Sequence, residues 1–167
     1  MKDNMIKITI PLPEDNLAAP ATESVWAERQ VDGTYKVKNV PFYAKGISCE
    51  DIVEAEPQDR ALVFKRVVRH NGHSTYRIYA ANGRTAPEVV SLVGRLQQLH
   101  CDIEPATDTL VGVDVLPEAD IYKVYETLAV LNVTRRSTFR KGIAGIRCGP
   151  KPKIHVVGHP LPKLFTK

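Results

Sequence analysis

The apolar residues change period once along the chain, near residue 80, and that change fixes the class of fold. Before it they alternate as strands do. Val25-Trp26-Ala27-Glu28-Arg29 and Tyr35-Lys36-Val37 each alternate, and Val31-Asp32-Gly33-Thr34 between them centres on Asp-Gly, a hairpin signal. Val40-Pro41-Phe42-Tyr43 opens on an X-Pro step that excludes helix, and Gly46 breaks the chain again. Ile47 to Glu56 and Ala61 to Arg69 read as two more strands, the second with Leu62, Phe64 and Val68 on one face. Asn71-Gly72 then turns the chain into Thr75-Tyr76-Arg77-Ile78-Tyr79. Short strands joined by tight turns predict a small β-barrel or curved antiparallel sheet over residues 25–80.

After residue 80 the period becomes helical. Thr85-Ala86-Pro87-Glu88 fits a capping box with proline in the first turn, and Val89, Leu92, Val93, Leu96 and Leu99 follow on one face. His100 and Cys101 close that helix, and Leu110 to Val115 is a strand. Pro117-Glu118-Ala119-Asp120 starts a second helix, whose stripe is Ile121, Val124, Tyr125, Leu128 and Leu131. A further strand is expected near Ser137 to Arg140, and Ile154-His155-Val156-Val157 adds another candidate. The fold class is therefore α+β, the barrel or curved sheet being followed by a ferredoxin-like half with two helices on an antiparallel sheet. The expected divisions are a leader over 1–24, a β-rich subdomain over 25–80, a ferredoxin-like subdomain over 81–141 and a tail over 142–167.

Apolar residues at 43% and charged residues at 25% suit a packed globular chain of 167 residues. No apolar run reaches the roughly 20 residues of a membrane span, and the N-terminus lacks a secretory pattern, so the cytosol is the expected compartment and no membrane contact is expected. The three cysteines, Cys49, Cys101 and Cys148, are far apart and odd in number, which excludes a disulfide framework. Charge is unevenly divided. Residues 127–167 hold nine of the 23 Lys/Arg and no acid, which leaves the other 14 with all 19 Asp/Glu in residues 1–126. A basic tail on an acidic body suggests an anionic partner for the tail.

Three blocks resemble a bacterial family catalogued as domain of unknown function 4265. The first is Val25-Trp26-Ala27-Glu28 with Val40-Pro41-Phe42-Tyr43-Ala44-Lys45-Gly46-Ile47-Ser48-Cys49-Glu50-Asp51-Ile52-Val53-Glu54-Ala55. The second runs from Val67 through His70-Asn71-Gly72-His73 to Arg77, and the third is Leu99-His100-Cys101-Asp102-Ile103-Glu104. The resemblance covers residue 25 to about 140. Glu50 departs from the family pattern, which often has glycine before the aspartate. The family brings no assigned catalysis, so the resemblance supports the domain boundaries more than the function; no cofactor is expected from the residues.

Four residue groups carry chemistry worth weighing. His70 and His73 flank the Asn-Gly turn and make a candidate ligand-contact turn, but two histidines without further ligands are a poor zinc site, so no metal is expected. Cys148, His155 and His159 match no zinc module by spacing. Glu50, Glu54 and Glu56 alternate along an expected strand, giving an acidic face suited to docking a basic protein. Arg135, Arg136, Arg140, Lys141 and Arg147 surround Gly142-Ile143-Ala144-Gly145, read here as a turn, and form a candidate polyanion-binding cluster. No nucleophile elbow, phosphate loop or dinucleotide fingerprint is present, so catalytic residues are not assigned. The expectation is a non-enzymatic binding protein. Its first form is an immunity protein that neutralises a competition toxin by binding the toxin domain; its alternative is an RNA- or ribosome-associated factor using the basic tail.

Overall fold

The computed structural model describes residues 4–13, 20–136 and 154–158. Five strands close a barrel: β1 (Met5–Pro11), β2 (Thr22–Arg29), β3 (Tyr35–Val37), β4 (Ile52–Gln58) and β5 (Ala61–Arg69). Each pairs antiparallel with the next. A meander of an odd number of strands must close on one parallel pair, and here β5 meets β1 through Val63 opposite Thr9. Side-chain alternation fills the interior with Ile8, Ile10, Val25, Ala27, Tyr35, Val37 and Val53.

Two expectations are corrected in the barrel. A leader is expected over residues 1–24, with Lys7-Ile8-Thr9-Ile10 able to form an edge strand. A strand does form there, over Met5–Pro11, but it is barrel wall, paired with β2 along its whole length and with β5 at Thr9. The strand expected from Ile47 begins only at Ile52, since Gly46 and Glu50 both take left-handed backbone, at φ 77° and 61°. Residues 38–51 thus form a loop between β3 and β4.

The second unit runs β6 (Ser74–Ala80), α1 (Pro87–Gln97), β7 (Cys101–Pro105), β8 (Leu110–Val115), α2 (Ile121–Arg136) and β9 (Ile154–Gly158). Its sheet has the order β7-β8-β6-β9 with all neighbours antiparallel, which is the ferredoxin-like arrangement. Tyr76, Ile78 and Ala80 of β6 and Val111, Val113 and Val115 of β8 pack against Val89, Leu92, Leu96, Val124 and Leu128 of the helices. β6 therefore belongs to this sheet and not to the β-rich region in which it was expected. Its partner β8 has helix packing to offer on one side, and the barrel is already closed. β7 was missed, because it follows α1 directly through His100 in left-handed backbone. Helix α1 starts at Pro87 with Ala86 as its cap residue and no side-chain cap, so the capping box does not form. Tyr125, placed in the buried stripe of α2, is 46% exposed. The strand expected near Ser137 to Arg140 lies outside the described residues.

Candidate functional site

Alternation gives the second sheet two faces. One faces the helices. The other carries Thr75 and Arg77 of β6, Gly112 and Asp114 of β8, and Glu104 of β7, and the loop 38–51 lies against it. Arg77 is 5% exposed, and its guanidinium donates to three backbone oxygens: Phe42 at 2.9 Å, Pro41 at 2.6 Å and Ala44 at 2.5 Å. From the barrel side Glu23, also buried, accepts the N–H groups of Phe42 at 2.5 Å, Tyr43 at 3.0 Å and Ala44 at 2.8 Å. A short irregular segment thus has its donors held by a carboxylate and its acceptors by a guanidinium. Burial lowers the Arg77 proton affinity and Glu23 opposes that shift. Glu104 accepts from Val40 N at 2.9 Å. Gly112 is required by the close approach, because a Cβ there would lie 2.7 Å from Val40 Cγ1 and 2.9 Å from Phe42 Cε1.

The strap from β5 to β6 is pinned at both ends. Asp51, fully buried, accepts from Ser48 N at 2.8 Å and Asn71 N at 3.3 Å, and its Oδ2 lies 3.0 Å from His70 Nδ1. At the other end His73 Nδ1 sits 3.0 and 2.9 Å from the two oxygens of Asp114. Burial raises the Asp114 carboxyl above its ordinary pKa, with His73 opposing. The two histidines of the candidate ligand turn therefore serve two different carboxylates. They do not converge on one ligand. His70, with its side chain 66% exposed and oriented by a buried carboxylate, has the form of a general base, but among the described residues no hydroxyl or thiol is hydrogen-bonded to it. The thiol of Cys49 is pushed up to about 12 by burial and by Asp114 and Glu50, and that of Cys101 to about 11 by burial first. Both are protonated at neutral pH and poor nucleophiles. Among the described residues no group of three or more His, Cys, Asp or Glu is placed to hold a metal.

The acidic face is corrected. Glu50 lies on the loop, off the strand, and contacts Lys38 and, at 3.5 Å, Lys36. Glu54 of β4 holds Arg66 of β5 through two bonds, at 2.8 and 2.5 Å, and Glu56 holds Lys65. Every glutamate of the proposed face thus meets a cation: Arg66 stands opposite Glu54, Lys65 reaches Glu56 from the register shift of β5, and Glu50 takes Lys36 of β3 and Lys38 just after it. Arg135 and Arg136 end α2. Arg140, Lys141 and Arg147 lie outside the described residues, as do Gly142 to Gly145, Cys148 and His159.

Sequence reasoning passed over Glu23, Arg77, Asp51 and Asp114, which organise the seam, and a row on the outer barrel wall. Trp26 is 46% exposed between buried Val25 and Ala27. Lys7 stands opposite it on β1, with its Nζ 4.9 Å from the ring centroid. On the other side the Lys38 N–H donates to Trp26 O at 2.8 Å. Strand parity alone would have turned Trp26 outward.

Barrel and ferredoxin-like sheet, joined by a clamped loop and a pinned strap, define a two-part α+β protein. The chain belongs to the family named Domain of unknown function (DUF4265), whose profile matches residues 23–135. Two blocks that carry the resemblance, 40–55 and 67–77, meet at the seam. The chain is similar in fold to a hypothetical protein from Neisseria gonorrhoeae, at 19% identity and a TM-score of 0.65, over 79% of this chain and 87% of that one. No curated protein matches. No helix among the described residues is long and apolar enough to cross a membrane.

Proposed function

We propose that the chain works by binding a macromolecular partner and not by catalysis. One observation carries this reading: the chemically able groups of the seam are engaged with the chain's own backbone or with one another. Glu23 and Arg77 hold residues 41–44, Asp51 and Asp114 hold the two histidines, and the thiol of Cys49 is kept protonated. What faces outward is surface.

Of the two partner classes we favour an anionic one, on charge. The protein-docking reading, in which the chain is an immunity protein bound to a toxin domain, relied on an acidic face, and Glu54 and Glu56 of that face each share the outer barrel wall with a cation of β5. The RNA-associated reading relies on the basic segment 127–167, which has no acid of its own. Affinity capture with the tagged chain from a bacterial cytosol, divided into nuclease-treated and untreated halves, separates the two. RNA or ribosomal proteins lost after nuclease treatment support the RNA reading, and Arg135→Glu with Arg136→Glu should then weaken capture. One small protein recovered at equal stoichiometry in both halves, and whose toxicity co-expression of this chain relieves, overturns it in favour of the immunity reading.

A further inference from the structure

We propose that the outer wall of the barrel at β1, β2 and β3 is a stacking site for a base of single-stranded nucleic acid, with Trp26 as the platform. This rests on the RNA-binding reading above but places a contact on residues of the barrel, outside the basic segment 127–167.

The argument begins with strand geometry. Trp26 lies in the middle strand of the three, opposite Lys7 on β1, while Lys38 follows β3 and pairs its backbone with Trp26. Cross-strand neighbours on one face stand about 5 Å apart, so a lysine flanks Trp26 on each side: the Lys7 ammonium lies over the ring, and that of Lys38 is held by Glu50. Lys36 joins them one row along, opposite Glu28. The backbone beneath is fixed, since Trp26 N donates to Asn39 Oδ1 at 2.6 Å and its carbonyl accepts from Lys38. The main chain that carries the ring therefore needs no ordering on binding.

An exposed indole flanked by lysines matches what a single strand presents, a flat base next to phosphates. Among the described residues the acids set against Lys7, Lys36 and Lys38 are Glu28 and Glu50, which leaves the cations in excess. The carboxylate of Glu50 is shared between two of those lysines, in a contact open to solvent, so a phosphate can compete for them. Lys7, which lies over the ring, moves from the indole face to a phosphate when a base takes its place. A duplex keeps its bases stacked inside and offers none to the ring, so the site selects single strands.

Trp26 is the sole tryptophan of the chain, so its emission reports on this site alone. The full chain would be titrated with a short oligouridylate, with a duplex of matched length, and with heparin as a polyanion without bases. The expected result is saturable quenching by the oligouridylate and little by the other two. Trp26→Leu should weaken anisotropy-measured binding of a labelled oligouridylate roughly 10- to 100-fold, the range of one lost stack, and Trp26→Phe should restore part of it. Lys7→Gln with Lys38→Gln should flatten the salt dependence by about 1.4 in log–log slope, two phosphates' worth for a single strand. All three positions, Lys7, Trp26 and Lys38, are exposed, so these variants are expected to fold. Absence of quenching, or equal quenching by heparin, overturns the site. Binding that leaves Trp26 emission unchanged and is lost in Arg135→Glu with Arg136→Glu also overturns it, while the tail-based reading stands.

Discussion

The central strands β6 and β8 of the ferredoxin-like sheet are buried on both faces, by opposite chemistry. Its helix side is closed by Val, Leu and Ile, which need only be apolar and of the right size. Its other side is closed by a segment without regular structure, whose buried N–H and C=O groups must each find a partner. Arg77 and Glu23 supply those partners, and Gly112 makes room for the chain. The first face tolerates exchange among apolar residues. The second is specified atom by atom, and losing a partner there should cost as much as opening a core cavity.

Replacing Arg77 tests that equivalence and carries the largest expected effect. Arg77→Met keeps much of the length of the side chain but leaves the oxygens of Pro41, Phe42 and Ala44 buried and unpaired, while Glu23 keeps its three N–H donors and loses only the favourable field of the guanidinium. The expected loss is about 3–5 kcal/mol. Leu96→Ala on the helix face removes a fully buried side chain and should cost a similar amount, about 2–5 kcal/mol. Urea midpoints at constant slope give both values. A loss below about 1 kcal/mol for Arg77→Met would mean that water replaces the guanidinium and that the two faces differ in kind.

Gly112 sharpens the contrast, since its requirement is steric. Gly112→Ala places a Cβ within 3 Å of Val40 and Phe42, against the loop that the other residues clamp. Overpacking of this sort costs about 1–3 kcal/mol. Gly33, in left-handed backbone with open space around it, is the control: there alanine suffers from φ 85° alone. If Gly112→Ala is no worse than Gly33→Ala, the loop shifts easily and is not held as argued.

Much of this fold was legible in the sequence, and the reasons for the failures are physical. The helix stripe Val89, Leu92 and Leu96 and the turns at Gly33 and Gly72 show because periodicity and turn chemistry are local. The seam did not show. Glu23 looks like any strand glutamate, and Arg77, between Tyr76 and Ile78, like any strand arginine; only the fold brings them to residues 41–44 from 19 to 36 positions away. The acidic face failed for the same reason. Alternation correctly turned Glu54 and Glu56 outward, but the cations that meet them, Arg66 opposite Glu54 and Lys65 at the register shift, come from β5, which the spacing along β4 does not contain.

Asp114 gives a smaller, pH-dependent test of the polar face. Its carboxyl in the fold holds its proton above the ordinary 3.8, chiefly through burial. The folded state thus favours the protonated form. That contribution is fully present below about 3.8 and is lost as pH rises through the raised value. Relative to Asp114→Asn, which cannot ionise and still offers His73 an acceptor, the parent chain should lose stability as pH rises from about 3.8 toward neutrality. A difference that instead grows with pH would show the His73 contact outweighing burial, making the pair a source of stability and not a cost.

The smallest effects belong to the outer wall of the barrel, where Glu54 and Glu56 pair with Arg66 and Lys65 in view of solvent. Water already solvates these groups well, and each pair must immobilise two long side chains. Exposed pairs of this kind contribute about 0.2–1 kcal/mol. Glu56→Gln should sit at the low end, because Lys65 makes a single contact. Glu54→Gln should sit at the high end, because Arg66 bonds both oxygens in a fork. A double-mutant cycle for each pair, run at low salt and again at high salt, gives the coupling directly. If the Glu54–Arg66 coupling exceeds about 2 kcal/mol or resists salt, that pair is held in a drier setting than its exposure implies. The contrast between a wall of loose charges and a seam of fixed ones would then weaken.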